Sequence, residues 1–410
     1  MNQVLHLLQV YEHGRFLEIG PGGVIFVKTL QIGISPGDLA HNKGDEAIVM
    51  AMIAELQRRG HRVRVVFSRD PARTERRLGV AAAPVVPTAA HGSRVLHQLD
   101  LLLWGGGHLI HDHSSALYLP YFSLRAIQAL RRRIPVALLA VGAAPIRRRS
   151  TQRLARYLVS RCHLRTVRDE DALTALRECG IESEVLVTAD PAFLLSASGS
   201  PKPQPKHVVV FAVREWFVHD HRLLPRSFLM RSGFRRSSDR SRALSSMYAE
   251  AADRLVEMGL EVTFVAMSTG FGNNDLTIAC EIVAKMRQAA NVLDDDLTVP
   301  ELLQIFARAN VVVAMRMHAA ILTLVAGSRP LMITYSAKGE TMANRMGLQG
   351  FALRIERCTA DLLVQKVRDA LVADRSLDLH LEAETGRMRL EALRTFDLID
   401  NLAARLPGRL

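Results

Sequence analysis

Aromatic residues are scarce in this chain, 5% of 410 residues. Stacking platforms for single-stranded nucleic acid are therefore not expected. Cysteine is scarcer still. Cys162, Cys179, Cys280 and Cys358 are widely scattered, with no metal-ligand spacing and no disulfide framework. A reducing, cytoplasmic setting is the expectation. No apolar run approaches the roughly 18 residues that span a bilayer. The stretch PVALLAVGAAP (135–145) is too short and reads as a buried strand. The opening MNQVLHLLQVYEHGRF lacks a basic start, a sustained apolar core and a small-residue cleavage site, so no secretory leader is expected. No helix-turn-helix, zinc-finger or ribonucleoprotein motif accompanies the arginines, and no nucleic-acid partner is expected.

Positive charge is plentiful. Lys plus Arg number 53 against 41 Asp plus Glu, a net charge of +12. A solvated basic surface accounts for this most simply. An anionic substrate or membrane surface comes second, and peripheral attachment at the inner face of a membrane is one form of it. The arginines cluster at 131–133, 147–149 and 231–242. Nothing in the sequence specifies an oligomeric state.

A chain of 410 residues exceeds one ordinary core, so two domains are expected. Strand candidates at 24–33, 62–68, 99–104, 135–141, 163–167 and 184–188 alternate with helical patterns. One helix is expected at 45–59, where Ile48, Met52 and Leu56 repeat every four residues. SASGSPKPQPKH (196–207) reads as the linker. Beyond it come strands in HVVVFAVR, EVTFVAMS, NVVVAMR and PLMITYS. Helices are expected near 244–258, 275–288, 299–308, 318–326 and 359–373. The fold class is α/β, with mostly parallel sheets covered by helices. The domains are placed at 22–196 and 206–375, and a C-terminal helix (376–410) is long enough to cross back onto the first domain. The Arg/Ser-rich stretch 217–243 reads as an insertion serving localisation or acceptor docking.

The informative polar residues fall where strands end. Gly105, Gly106 and Gly107 directly follow a buried strand, and suit a backbone that approaches an anion closely. His108, His111, Asp112 and His113 follow. They are not expected to form a metal site, because such closely spaced positions should not all point inward. Asn42 suits the turn before the first helix. Asp45 either caps that helix or faces a crevice, and the sequence leaves both open. Arg168 ends a strand and is either an oxyanion clamp or a partner of Asp169 or Glu170. Arg214 repeats the arrangement in the second half. Arg316 and His318 are two apart, so on extended backbone they would share one face and reach one ligand. Tyr335 and Lys338 end the next strand and add a possible anion contact.

Taken in order, several motifs resemble the polysaccharide pyruvyltransferase family: Asn42 to Ala47 (N-x-G-D-E-A), Gly105 to Leu109 with Asp112, VRDEDALTAL, ADPAFLL (189–195), R-x-H-A with GSRP, and Tyr335 to Lys338. The resemblance covers about 24–370. It implies two facing Rossmann-like domains of glycosyltransferase-B type, the first on the acceptor side and the second on the donor side. It implies transfer of pyruvyl from phosphoenolpyruvate, a co-substrate, to two hydroxyls of a free or lipid-linked sugar, giving a ketal and phosphate. Arg168 and Arg316 would then hold the donor and His318 would be the general acid. Asp45 and Asp112 are the candidate bases, and no metal or cofactor is implied. The rival readings are a nucleotide-sugar glycosyltransferase of the same architecture and a non-catalytic cell-envelope assembly protein.

Overall fold

The β-branched apolar runs form strands that no exposed sheet could carry. The computed structural model describes residues 28–406, apart from 40, 88–94, 198–207, 217–238, 271–272, 294–295 and 336. In the first half the strands are β1 (Gln31–Ser35), β2 (Arg62–Ser68), β3 (Ala82–Pro84), β4 (Leu101–Gly105), β5 (His108–Ile110), β6 (Val136–Ala143), β7 (Leu164–Val167) and β8 (Leu186–Val187). In the second half they are β9 (Val208–Ala212), β10 (Glu261–Val265), β11 (Thr269–Gly270), β12 (Asn273–Asn274), β13 (Asn291–Leu293), β14 (Val311–Ala314), β15 (Arg329–Thr334) and β16 (Ala352–Arg354). Every residue of β4, β6 and β14 is buried, as expected of strands covered on both faces.

The first sheet runs β3-β2-β1-β4-β6-β7-β8, with β5 joined to β6. The second runs β13-β10-β9-β14-β15-β16. All pairings within these two sheets are parallel. In each sheet the strand order reverses once, between β1 and β4 and between β9 and β14. Loops part at such reversals and leave a crevice at the carboxyl ends of the strands. The helix Lys43–Arg58 leaves the first reversal and the helix Met317–Val325 leaves the second.

The halves meet at that crevice. Lys43 donates its backbone N–H to Met267 O at 2.9 Å, and Thr269 donates to His41 O at 3.0 Å. Asn42 and Ser268 make an antiparallel bridge between them. Beside this, Asp296 of the second half binds Lys43 at 2.7 Å and Arg77 at 2.8 Å, and also pairs with Arg73. One apolar core draws on both halves, joining Ile48 and Met52 to Leu303 and Ile321. The C-terminal helix Arg375–Arg405 returns to the first half. There Arg59 binds Asp397 at 2.8 Å and Asp400 at 2.5 Å, and Arg389 donates to Leu195 O at 2.7 Å.

Three sequence expectations shift. The first strand is Gln31–Ser35 rather than 24–33, because its pairing with β2 starts at Arg62, and residues 24–27 lie outside the described residues. The helix expected from 244 begins at Asp239, inside the Arg/Ser-rich stretch, whose residues 217–238 lie outside the described residues. The helix from Asp275 stops at Val283 rather than 288. Most of the linker, 198–207, also lies outside the described residues. No helix among the described residues is long and apolar enough to cross a membrane.

Candidate active site at the crevice between the sheets

Arg168 emerges from the end of β7 and is 5% exposed. Its Nη1 lies 3.2 Å from Asp190 Oδ2. Its Nε lies 3.4 Å from Asp169 Oδ2, yet this buried nitrogen has no hydrogen-bond partner among the described residues. Asp190 sits at the start of the short 3-10 helix Pro191–Leu194, where it accepts from the Ala192 N–H at 3.0 Å. The same Asp190 Oδ2 is 3.2 Å from His318 Nε2, across from the second half. Burial alone would raise the Asp190 carboxyl. His318 and Arg168 outweigh burial and hold it at about 2. Asp190 is therefore an anion that ties a guanidinium of one half to an imidazole of the other.

Glycine makes that reach possible. A Cβ on Gly44 would sit 2.3 Å from His318 Nδ1. The first turn of the helix Lys43–Arg58 must lack a side chain there for His318 to cross.

Arg316 behaves differently. It is the N-cap of the helix Met317–Val325, in extended conformation, and it grips Asp275 with two bonds of 2.6 and 2.7 Å. The expectation that Arg316 and His318 share one extended face is corrected here. The strand ends at Ala314 and helix begins at Met317, so the step into His318 turns by about 100° instead of continuing the alternation of a strand. Arg316 stays within its own half while His318 leaves it.

Arg214 follows β9. Its Nη1 is 3.4 Å from the Tyr335 hydroxyl, and its guanidinium lies 5.7 Å from that ring's centre. Burial and the Arg316 charge press Arg214 below its ordinary range. An anion beside Arg214 would offset both causes. Lys338 lies in the first turn of the helix Ala337–Arg345, and its side chain falls outside the described residues.

Asp45 faces the crevice and is 7% exposed. Asn42, which caps the helix through the Gly44 N–H, also donates its Nδ2 to Asp45 at 3.0 Å. Burial pushes the Asp45 carboxyl up to about 8. Asp38 and Asp190 push the same way, while Arg168 and Arg316 oppose. Both readings left open by the sequence thus hold partly: Asp45 lies in the first turn and also faces the arginines.

The glycine run divides. A Cβ on Gly105 would meet Leu139 O at 2.2 Å, and one on Gly106 would meet Met52. These two positions serve close packing of β4 on β6 and of the loop on the helix, a correction to the view of all three as a ligand cradle. Gly107 alone adjoins the site, with its would-be Cβ 3.0 Å from Asp45 Oδ1.

Asp112 is also corrected. It is fully buried and accepts from the backbone N–H groups of Arg147 and Arg148 at 2.8–3.2 Å. Its oxygens anchor a loop and are not placed to take a proton from a sugar. The histidines beside it overturn another expectation. Ligand nitrogens of His108, His111 and His113 all lie within 4.8 Å of one another. The short strand β5 followed by a turn lets all three rings face the same way, which neither a plain helix nor a plain strand would.

Two residues that matter here were not singled out from sequence, Asp190 and Asp275. Each reads as a helix-start carboxylate, in ADP and NND. Nothing local reveals an arginine partner 22 or 41 positions away.

The sequence profile of the polysaccharide pyruvyl transferase family matches residues 42–337. The chain is 20% identical over 293 residues to the amylovoran biosynthesis protein AmsJ of Erwinia amylovora. The match spans 67% of this chain and 66% of that protein, just under two thirds of the relative's length. In fold it is similar to S. aureus MnaA in complex with UDP, with a TM-score of 0.56, 12% identity, and 93% and 100% of the two chains covered. It is similar also to the UDP-GlcNAc 2-epimerase of Neisseria meningitidis bound to UDP-GlcNAc, with a TM-score of 0.55, 10% identity, and 90% and 100% covered. These likenesses bear out the expected pair of facing Rossmann-like sheets of glycosyltransferase-B type. The profile spans most of the chain, from Asn42 through Arg168, Arg316 and His318 to the start of the helix after β15, and the chain belongs to the polysaccharide pyruvyl transferase family.

Proposed function

We propose that the chain transfers pyruvyl from phosphoenolpyruvate to two hydroxyls of a sugar in a polysaccharide or its lipid-linked precursor. One observation carries this reading. Three buried or half-buried arginines, Arg168, Arg214 and Arg316, and the histidine His318 gather in the crevice, just past the carboxyl ends of β7, β9 and β14. Phosphoenolpyruvate carries a carboxylate and a phosphate, and planar guanidinium groups suit both.

In this scheme the arginines hold the donor's anionic groups. The buried Arg168 Nε, without a hydrogen-bond partner among the described residues, is one donor for them. His318 gives a proton to the methylene carbon, while Asp190 stabilises the charged imidazole. The central carbon becomes electrophilic and the first sugar hydroxyl adds to it. Asp45 takes that hydroxyl's proton in its ionised form, which is the minority below about pH 8, so turnover should rise as pH climbs toward that value. The second hydroxyl then displaces phosphate, which leaves carrying the second proton. Two C–O bonds form, the C–O bond to phosphate breaks, and no oxidant or metal enters the balance.

The test is phosphate release from phosphoenolpyruvate with free and lipid-linked oligosaccharides, run beside UDP-sugar turnover. Acceptor-dependent phosphate release with a pyruvylated product supports the reading. Turnover of a UDP-sugar with phosphoenolpyruvate untouched overturns it. The net charge of +12 supports presentation of the acceptor at an anionic surface, to which the basic stretch 217–243 would contribute. Deleting 217–238, the part that precedes the helix from Asp239, should weaken binding to anionic vesicles and spare turnover of a short soluble acceptor. Lost turnover of that acceptor would reverse the assignment.

A further inference from the structure

The loop after the glycine run holds a group of side chains that pyruvyl transfer does not use. His108 and His111 lie with ring centres 4.8 Å apart, and His111 and His113 lie 4.0 Å apart. His111 is 3% exposed and stacks on Tyr118 at 4.2 Å. Ser114 Oγ is 3.5 Å from His111 Nδ1. The loop is pinned between them by Asp112, whose carboxylate takes the amides of Arg147 and Arg148.

We propose that His108, His111 and His113 bind one divalent transition-metal ion of the zinc class, with a fourth position open to the crevice. Three imidazoles and an open position are a recurring zinc arrangement. A set made of nitrogen alone favours zinc, copper, nickel or iron over magnesium and calcium, which require oxygen. Asp112 does not supply that oxygen, because its carboxylate is turned to the backbone amides.

The geometry is within reach of ligation. Zinc–nitrogen bonds of about 2.0–2.1 Å place tetrahedral ligand atoms about 3.3 Å apart. From a spread of at most 4.8 Å the rings need only modest side-chain rotation. His108 and His113 are only half-buried, so they can turn toward the more enclosed His111. The Ser114 hydroxyl, 3.5 Å from Nδ1, can accept that nitrogen's proton in the tautomer that presents Nε2 to a metal, the place where outer partners of ligating histidines sit. The site adjoins the crevice. A Cβ on Gly142 would lie 2.7 Å from both His108 Nδ1 and Arg168 Nη2, so these side chains flank the same glycine. The cation's repulsion from Arg168 is offset by Asp190 and Asp169, which already pair with that arginine.

The test uses the full chain, purified without a histidine tag and stripped with chelator, and titrated with cobalt(II) alone. We expect the visible absorption of four-coordinate cobalt to saturate at one ion per chain and zinc to displace it. His108→Ala and His113→Ala, checked for fold by circular dichroism, should each weaken binding on the order of 100-fold or more, at least what loss of an outer partner costs. His380→Ala, far from the loop in sequence, should bind as the parent does. Absence of the cobalt bands, or bands that persist in both loop variants, would overturn the site and mean that the rings form only an aromatic stack. Phosphoenolpyruvate takes no part in this readout, so its failure leaves the pyruvyl reading intact.

Discussion

The two best-placed arginines of the crevice are held in opposite ways. Arg316 is clamped by two short bonds to Asp275, and both belong to the second half. Its position survives whatever the halves do relative to each other. Arg168 pairs with Asp190 through one longer contact, and the same carboxylate oxygen meets His318 from across the crevice. Its surroundings are complete only when the halves are together. The difference teaches that one side of the crevice is preset while the other is assembled. A proton donor that reaches its partner only in the assembled state acts where closure has expelled water, which limits side reactions and proton leakage.

The largest effect should come from His318, the residue that crosses. His318→Asn keeps a polar side chain and removes the titrating proton. Turnover should fall about 10² to 10⁴, the usual worth of general acid catalysis, with donor affinity changed far less. Steady-state kinetics and direct donor titration separate the two. Near-normal turnover would mean that the imidazole only shapes the pocket, and the assembled side of the comparison would lose its chemical purpose.

The arginines themselves come next. Arg168→Ala and Arg316→Ala should each weaken phosphoenolpyruvate binding by about 2–5 kcal/mol, as truncation of one partner of a buried charge pair does. Their kinetic signatures should differ. Arg316→Ala should act on KM, because Asp275 and Arg316 form a closed pair. Arg168→Ala should lower kcat as well, because Asp190 then loses one of the two cations that hold it and His318 with it. Calorimetry with each variant measures the first effect and kinetics the second. Identical splits of kcat and KM would erase the distinction between preset and assembled sides.

A third prediction uses Asp45, which faces both arginines. Its carboxyl is raised from 3.8 to about 8, chiefly by burial. Between those values the folded chain keeps a proton that the unfolded chain releases. The residue therefore costs nothing below about pH 4 and destabilises progressively as pH rises toward 8. Asp45→Asn removes that cost while keeping an acceptor for Asn42. The variant should be more stable than the parent by a few kcal/mol at pH 8, taking about 1.4 kcal/mol per pH unit, and no more stable at pH 4. Thermal melts at the two values decide. A constant gain at both would show that the carboxyl is ionised in the folded chain, as would a loss of stability at pH 8. If Asp45 takes the hydroxyl proton, the stabilised variant should also turn over more slowly.

How much of this was legible in the sequence depends on range. The strands β4, β6, β9, β14 and β15 were visible because parallel strands buried on both faces are continuously apolar. The start of the first helix was visible through the turn at Asn42 and the carboxylate at Asp45. The strand-end arginines were visible because a guanidinium after a buried strand is costly without an anion. What escaped was what tertiary contact decides. Asp275 drew no notice, and Asp190 stood out only as part of the motif ADPAFLL, with no partner to be read for it. Arg316 and His318 looked coplanar because nothing local says where extension stops and helix begins. The three histidines looked divergent because a two-part path, strand then turn, has no single period to read.

The smallest effect should come from the contact that brings the halves together without touching the donor site. Asp296 joins Lys43, Arg73 and Arg77 across the junction, and Arg73 above all, with Lys43, holds its carboxyl well below the ordinary range. Asp296 is itself 43% exposed, so much of the Coulomb gain is screened by water. Asp296→Asn should therefore cost about 1 kcal/mol or less of overall stability, as measured by chemical denaturation. Its effect on the crevice should nonetheless be uneven. Weakening the junction should loosen the His318–Asp190–Arg168 chain, which spans it, and leave the Arg316–Asp275 pair alone. The expected result is a modest fall in kcat, on the order of a few-fold, with donor affinity nearly unchanged and with the loss growing at high salt as the remaining charges are screened. A variant that loses donor affinity instead would show that Arg316 too depends on closure, and that the two sides of the crevice are assembled alike.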